Sequence, residues 1–431
     1  MIRSLRHRNF RLFFFGQGVS LIGTWMQGVA VGWLVYRLTG SGWDLGTVGF
    51  AGQILTFVVA PVAGVMADRW NRHRLVLCAQ VLATLQALAL AVLTLGGIIE
   101  VWHIILLALF GGLIRGFEIP TRQSFVVEML DDRRDLPNAI ALNSFLVNGS
   151  RLIGPLLAGA LIYWTGEGIC FLLNALSYLA VIWALLAMRL KPYAPHPPRN
   201  NMLGGLKEGF LYAARSASIR PVLLLLCIVS LAGVPYAVLM PMFAVKVLGG
   251  DATTNGILLG AVGVGAILGA IFLASRRTVV GLGRIIGLAA GAFGAGLAAF
   301  SFSEHLWLSL PLLAWVGCAM MMQMASSNTV LQTVVDEDKR GRVMSFYTMA
   351  FMGMGPFGSL LAGSLAERFG APVTVLAGGI ACVAAALLFA ASLRRLDKTV
   401  AASGPQPGAI ADLSAEEPAS PLPPPPHNGH S

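Results

Sequence analysis

Charged side chains are scarce in this chain. Asp, Glu, Lys and Arg make up 12% of its 431 residues, against roughly 25% in a typical soluble domain. Apolar residues make up 56%, and the mean hydropathy is +0.74. Most of the molecular surface is therefore not built to face water. This composition excludes a soluble globular protein and indicates an integral protein of the lipid bilayer.

Cysteine and histidine lack the spacings that metal sites and disulfide frameworks need. The five cysteines lie singly in apolar runs, with no Cys-x-x-Cys and no Cys/His cluster, so neither kind of site is predicted. None of the seven histidines lies in the middle of an apolar run, which argues against an integral-membrane enzyme. No Gly-x-x-x-x-Gly-Lys-Ser/Thr loop is present, so ATP is not the direct energy source. We predict no cofactor.

Twelve apolar runs recur along the chain, and each is long enough to cross a bilayer core of roughly 30 Å as a helix. They lie near residues 12–37, 45–67, 75–97, 102–124, 138–163, 169–189, 221–247, 254–275, 284–302, 306–330, 343–365 and 371–393. We predict an all-α membrane protein with two six-helix bundles, at 1–190 and 221–396. A cytoplasmic loop at 191–220 joins them, and a disordered Pro-rich cytoplasmic tail occupies 397–431.

The placement of Lys and Arg predicts the orientation. Only Arg37, Lys246 and Arg368 fall in the loops of one side, and Arg115 and Arg151 fall inside spans. All other Lys and Arg lie on the opposite side, which the positive-inside rule assigns to the cytoplasm together with both termini. The net charge of +10 is spread over short loops rather than one folded face, so no nucleic-acid partner is predicted.

An internal repeat relates the two bundles. Leu-Leu-Ala-Gly occurs at residues 156–159 and again at 360–363, and each copy is followed seven residues later by a glycine, Gly166 or Gly370. Six spans followed by six related spans predict a duplicated bundle with an axis along the membrane normal.

The loop between the second and third spans carries a specific motif. From Gly64 to Arg74 it reads Gly-x-x-x-Asp-Arg-x-x-Arg-x-Arg, which resembles the signature of the major facilitator superfamily. The resemblance implies the major facilitator fold and transport by rocking of the two halves. Asn71 stands where the superfamily usually has glycine. This departure leaves the tightness of the turn open, although Asn tolerates left-handed backbone geometry better than most residues. The residues expected to form a cytoplasmic gate are Asp68, Arg69, Arg72, Arg74 and, at the start of span eleven, Arg342. For Arg72 and Arg74 the alternative is positive-inside charge alone.

Span five carries a second motif. Gly154 and Pro155 lie within Gly149–Gly159, a segment that resembles the Gly-Pro signature of drug antiporters. Glycine and proline there are expected to bend the helix and allow close packing; an ordinary small-residue packing seam is the alternative. Three further segments, at 117–125, 136–144 and 339–345, resemble the superfamily branch that contains the enterobactin exporter and macrolide efflux proteins.

Charged residues inside spans are candidates for ion coupling, because a charge at a helix centre costs about 2.5–3.5 kcal/mol. Glu118 is the only acid well inside a span. Arg115 shares its helix face, and Arg151 lies on the next span. We predict that Glu118 loads and releases a proton by exchanging these arginine partners; a purely structural Arg115–Glu118 pair is the alternative.

Polar stripes and methionines predict a substrate cavity. The candidates are Gln17, Thr24 and Gln27 on span one, Ser144 and Asn148 on span five, and Met322 and Met352 on spans ten and eleven. Interhelical hydrogen bonding and ordinary core filling by methionine are the alternative readings.

These features predict a secondary transporter in the bacterial inner membrane. The resemblance implies export, and we predict proton-coupled efflux of an amphipathic small molecule such as a drug, a siderophore or a secondary metabolite. We expect the protein to act as a monomer. An inward-directed transporter is the nearest alternative, and an integral-membrane enzyme is a remote one.

Overall fold

The computed structural model describes residues 3–190, 216, 218–276, 281–335 and 337–393. Twelve helices in these ranges are long and apolar enough to cross a bilayer. They are α1 (Arg8–Thr39), α2 (Gly42–Arg69), α3 (Arg72–Leu95), α4 (Val101–Phe125), α5 (Leu136–Thr165), α6 (Glu167–Leu186), α7 (Ile219–Lys246), α8 (Ala252–Ala274), α9 (Leu282–Ser301), α10 (Leu306–Val334), α11 (Val343–Phe369) and α12 (Ala371–Ala390). The prediction of twelve spans is confirmed. The predicted tail at 397–431 and most of the central loop lie outside the described residues.

Local signals explain where the helices end. Gly40 ends α1 in the left-handed conformation, with φ 64°, a geometry that glycine adopts without steric cost. Ser41 follows as the N-cap of α2, and its hydroxyl accepts a hydrogen bond from the Asp44 amide. A two-residue turn therefore joins the two helices. The apolar pattern alone predicted a connection that was a few residues longer.

Two helices of the second bundle are interrupted. The middle of α7 contains a π-helical turn, Val229–Gly233, followed by a 3-10 segment, and α11 contains a π-helical turn, Met349–Gly353. A proline follows each turn, Pro235 in α7 and Pro356 in α11. Proline lacks the N–H that would bond four residues back, and its ring crowds that carbonyl, so the preceding turn widens.

The helices form two groups that follow the chain. In the first half α1 packs against α5 and α6, α2 against α4, and α3 against α4 and α6. In the second half α10 packs against α8 and α9, and α12 packs against α9. The halves meet where α2 crosses α11 and where α5 crosses α8.

Consecutive helices run in opposite directions, so their ends alternate between two faces of the protein. We call the face where α1 begins the proximal face and the face where α1 ends the distal face. At the distal end of the α2–α11 crossing, a methyl group added to Gly46 would lie 2.9 Å from the Gly363 Cα. At the α5–α8 crossing, one added to Gly159 would lie 3.1 Å from the Gly256 Cα. Glycine thus brings the two halves into backbone contact on the distal side.

Candidate transport site and gates

Glu118 forms an ion pair inside α4, but its partner is Arg122 rather than Arg115. The Glu118 Oε1 lies 3.1 Å from the Arg122 Nε, four residues along the same helix. Gln80 of α3 donates from Nε2 to the same oxygen over 3.5 Å. The Glu118 and Arg122 side chains are 16% and 13% exposed, respectively. A partly accessible intrahelical pair therefore lies within the first half.

Arg115 is occupied elsewhere, which corrects the expected Arg115–Glu118 pairing. Its Nη2 donates to the Gly52 carbonyl of α2 over 2.8 Å. Residues three and four apart on a helix are both within reach, so spacing alone did not choose between the two arginines. Gly112 of α4 allows the close approach, since a methyl group added there would lie 3.0 Å from the Gly52 carbonyl oxygen.

Arg151 reaches from the first half into the second. Its guanidinium lies over the Trp25 ring of α1, 5.8 Å from the centroid, an arrangement that favours a cation. Its Nη2 lies 3.8 Å from the Met320 sulfur of α10. Arg151 is therefore a cation at the boundary of the two halves, in contact with an aromatic ring and a polarizable sulfur.

The polar stripe of α1 takes part in interhelical hydrogen bonds. Gln27 donates to Gln86 of α3 over 3.0 Å and accepts from Asn174 of α6 over 2.7 Å. The Thr24 hydroxyl lies 3.2 Å from the Tyr178 hydroxyl of α6. Gln17 is buried, and its Oε1 has no hydrogen-bond partner. The network joins α1, α3 and α6, and the cavity-lining role of Thr24 and Gln27 stays a prediction. The burial of Gln17 places its side chain away from open space in this conformation.

The polar stripe of α5 is more open. Ser144 is exposed and Asn148 half-buried, and the Asn148 amide donates to the Ser144 carbonyl over 2.9 Å. A methyl group added to Gly149 beside them, or to Gly28 of α1, would meet no atom within 4 Å. Open space therefore adjoins α1 and α5 at mid-depth.

The two candidate methionines lie in different surroundings. Met352 is 42% exposed and belongs to the π-helical turn of α11. That turn is tied to the π-helical turn of α7, because the Ser230 hydroxyl donates to the Phe351 carbonyl. Met322 is half-buried in α10, with its sulfur 3.9 Å from the Cys318 sulfur. Met352 is thus placed at an irregular segment of the kind common at functional sites.

Gly154 and Pro155 lie at helix crossings. A methyl group on Gly154 would lie 2.5 Å from the Trp25 Cβ, and the Pro155 carbonyl lies 2.5 Å from the position of a methyl group on Gly256. Both residues are buried within a continuous α-helix. They allow α5 to contact α1 on one side and α8 of the other half on the other.

The proximal gate is described only in part. Arg72 pairs with Glu128, just beyond the end of α4, with 2.8 Å between Nη1 and Oε1. The backbone amide of Arg74 donates to the Asn71 side chain. Asn71 has φ −64° and ψ 110° and caps α3, so this position does not use the left-handed geometry that glycine or asparagine tolerates. A side-chain cap serves the turn instead. The side chains of Asp68, Arg69 and Arg342 lie outside the described part of the chain.

Sequence reasoning missed the polar contacts of the distal face. The Glu367 carboxylate of α11 accepts hydrogen bonds at the start of α2. Arg37 of α1 donates from Nε and Nη2 to the two oxygens of Glu167 on α6, over 2.7 and 3.1 Å. A cavity of about 430 Å³ opens beside this pair. An acid in the last turn of a helix opposes the helix dipole, and that was the available signal for Glu367.

The described residues contain no group of His, Cys, Asp and Glu that could hold a metal ion. Two halves of six helices that meet through glycine crossings, with charged residues inside the spans, define a membrane transporter of the major facilitator type. The chain belongs to the transmembrane secretion effector family, whose sequence pattern matches residues 2–417. The prediction of a transporter rather than an enzyme is confirmed.

Curated relatives support this membership. The chain is 24% identical over 380 residues to a staphyloferrin A transporter of Staphylococcus aureus, covering 88% of this chain and 95% of the relative. It is 27% identical to the multidrug efflux pump Tap of Mycolicibacterium fortuitum, covering 84% and 88%. It is also 27% identical to the enterobactin exporter EntS of Escherichia coli, covering 92% and 96%. The predicted resemblance to this exporter branch is confirmed.

Solved structures share the fold. A bacterial homologue of the lysosomal transporter Spinster, in an inward-facing and unoccupied conformation, superimposes with a TM-score of 0.69 at 14% identity, covering 94% of this chain and 100% of the other. The nucleoside transporter NupG gives a TM-score of 0.68 at 15% identity, covering 90% and 98%. The predicted major facilitator fold is confirmed.

Proposed function

We propose that the chain is a proton-coupled exporter that moves an amphipathic small molecule out of the cell by alternating access. One observation carries this proposal. Glycine crossings hold the distal ends of the two halves together, whereas Gly28 and Gly149 adjoin open space at mid-depth. A cavity between two halves that is closed at one end is the arrangement that alternating access requires.

The direction and the substrate class rest on the relatives. The three relatives described above are named for a siderophore, for multiple drugs and for enterobactin, and two of the names specify efflux or export. We propose a siderophore or a drug-like amphiphile as the substrate. We place both termini in the cytoplasm, which makes the proximal face cytoplasmic, and we propose that the cavity opens towards that face.

The coupling proposal centres on the Glu118–Arg122 pair. A proton that reaches Glu118 would neutralise it and release Arg122, because the 3.1 Å contact depends on the charge of the carboxylate. Gln80 on α3 contacts the same oxygen, and a protonated carboxyl group can still accept its hydrogen bond, so α4 would stay linked to α3. Arg151 and Arg115 supply further cations that an anionic substrate or Glu118 could engage when the halves move.

The test uses purified protein in liposomes with an imposed pH gradient and a radiolabelled siderophore or drug. We expect Glu118→Gln to abolish gradient-driven accumulation while substrate exchange without a gradient continues, and Arg151→Ala to lose both activities. Glu304→Gln, which removes an exposed acid of the distal loop before α10, is the matched control and should transport like the wild type. A Glu118→Gln protein that still builds a pH-driven substrate gradient would exclude Glu118 as the coupling residue.

A deletion strain identifies the substrate class. Its sensitivity to a panel of antibiotics and its secretion of iron chelator are measured side by side. Loss of siderophore from the medium without drug sensitivity would select the siderophore, and drug sensitivity with normal secretion would select a drug-like substrate. A strain that is normal in both respects would contradict export of either class.

A further inference from the structure

Glu367 connects the two halves at the distal face. It lies in the last turn of α11, and its Oε2 accepts three hydrogen bonds from the other half. The donors are the Ser41 hydroxyl over 3.0 Å, the Gly42 amide over 2.6 Å and the Trp43 amide over 3.2 Å. A single carboxylate oxygen from the second half therefore contacts the N-terminus of α2.

These contacts complete the start of α2. The first amides of a helix have no partner within it and form its positive end. The Ser41 hydroxyl accepts from the Asp44 amide, and Glu367 takes the amides of Gly42 and Trp43. The first three amides of α2 are thus satisfied together, two of them by a residue of the other half.

The contact can form only when the halves touch. A methyl group on Gly42 would lie 3.2 Å from the Gly363 carbonyl oxygen, so the backbones of α2 and α11 meet beside the carboxylate. If the two helices separate, Glu367 loses these donors and remains at the negative end of its own helix, where an acid is unfavourable. Its interaction energy therefore differs between the closed and open forms, which is what a conformational switch requires.

We infer that Glu367 is a distal latch, which holds the distal face closed and must release α2 before that face opens. The inference rests on the proposed alternating access. It also gives the α2–α11 pair an acid at each end. Asp68 is predicted to act at the proximal end of α2, and Glu367 acts at the distal end of α11. Lys246, at the distal end of α7, adds electrostatic attraction to Glu367.

The test measures distal distances in the full-length protein in lipid nanodiscs. Nitroxide labels replace Gly96 in the first half and Phe302 in the second, both exposed in distal loops, in a cysteine-free background. Pulsed electron resonance then gives the populations of short and long distances. Glu367 is exposed, and water screens its contacts. We therefore expect Glu367→Ala to raise the ratio of long to short distances about three-fold, as loss of a solvent-exposed ionic contact would. Glu367→Gln should raise it less, because its carbonyl can still accept.

Glu304→Ala is the control, since it removes a distal acid away from α2, and it should leave the ratio unchanged. The latch is overturned if Glu367→Ala and Glu367→Gln both keep the wild-type ratio at unchanged melting temperature. If Glu367→Ala fails to insert into the membrane, the latch is judged from Glu367→Gln alone, and an unchanged distance ratio in that variant overturns it. A wild type that shows two distances, with no response to Glu367, rejects the latch but keeps alternating access. A single distance in every protein, at neutral and at acidic pH, rejects both.

Discussion

Gly166 and Gly370 hold nearly the same backbone conformation, with φ 82° and ψ 171° at the first and φ 84° and ψ 161° at the second. Gly166 ends α5 and starts α6, and Gly370 ends α11 and starts α12. Each donates its amide to the carbonyl four residues earlier, in Ile162 and Ala366. The internal repeat therefore extends from the residue types to the geometry of the turn that joins the last two helices of each half.

This geometry predicts a cost for any side chain at either turn. Positive φ with ψ near 180° is a region that only glycine occupies readily, and forcing another residue there costs about 1–3 kcal/mol. Gly166→Ala and Gly370→Ala should each lower the melting temperature in detergent. Gly149→Ala is the matched control, because Gly149 is helical with no atom within 4 Å of an added methyl group. Equal melting temperatures for all three would contradict the prediction.

The α5–α8 crossing predicts a graded effect of small substitutions on transport. A methyl group on Gly256 would lie 2.5 Å from the Pro155 carbonyl oxygen, whereas one on Gly260 would lie 2.7 Å from a terminal methyl carbon of Leu156. Backbone cannot move aside as a side chain can, and overpacking costs about 1–3 kcal/mol. Efflux by Gly256→Ala should therefore fall about ten-fold, and Gly260→Ala should stay close to the wild type. If Gly260→Ala lowered efflux more than Gly256→Ala, the α5–α8 crossing would not control closure of the distal face.

The burial pattern predicts which polar residues of α1 and α5 are accessible to water. Single cysteines at Ser144 and Asn148 of α5, in a cysteine-free background, should react with a water-soluble thiol reagent added from the proximal side. Cysteines at Gln17 and Ser20 should not, because these residues are only 2% and 1% exposed. The labelled fraction is read by mass shift on a gel. Rapid labelling at Gln17 together with protection at Asn148 would assign the cavity to α1 instead.

His7 predicts a pH-dependent contribution to stability. It precedes α1, and its ring nitrogens lie 3.1 Å from an Asp131 oxygen and 2.9 Å from an Asp135 oxygen. Hydrogen bonds to Asp135 and then Asp131 raise the pKa of His7 above its ordinary value. The stabilisation is therefore fully present below the unfolded pKa and is lost as pH rises through the folded pKa.

The wild type should exceed His7→Gln in thermal stability at about pH 5.5, with a difference under about 1 kcal/mol, as for other ion pairs near the surface. The difference should shrink towards about pH 9, where the ring is neutral. Thermal unfolding of both proteins across this range is the measurement. A difference that grows with pH would show that His7 acts as a neutral hydrogen-bonding group.

The predicted orientation is tested by labelling intact cells with an impermeant thiol reagent. Single cysteines at Gly96 and Glu304, in distal loops, should react from outside, and those at Arg134 and Lys339, near the proximal face, should react only after the cells are opened. Glu167 is unsuitable as a distal position because it is 4% exposed and paired with Arg37. Labelling of the proximal positions in intact cells would show that the orientation is the opposite of the predicted one.

The spans and the turns were predictable because their causes are local. A bilayer core of roughly 30 Å needs about 20 apolar residues, and every backbone group inside it must be satisfied within the helix, so apolar run length is enough to find each span. Glycine acts on the backbone at its own position, so Gly40 marks a turn in the sequence itself. Proline is a weaker signal, because Pro235 and Pro356 follow π-helical turns whereas Pro155 lies within the continuous helix α5.

The hydrogen-bond and ion-pair partners of the polar residues could not be predicted from the sequence. Spacing along α4 placed both Arg115 and Arg122 within reach of Glu118, and the Gly52 carbonyl of α2 decided between them by engaging Arg115. The sequence left the role of Asn71 in its turn open, and the structure shows that its side chain caps α3. In each case the hydrogen-bond partner was decided by the position of a neighbouring helix or by the local backbone conformation. Residue types alone reveal neither.

By itself, the sequence determined the class of protein, the twelve spans and the duplication, because composition, run length and repeat spacing are properties of the chain alone. The tertiary structure alone decided that the distal ends of the halves meet, that Arg151 touches Met320, and that Glu367 caps α2 across 325 residues of sequence. The physical reason is that hydrogen bonds and van der Waals contacts act over a few ångströms. Which groups come that close depends on how the helices pack, not on their separation along the chain.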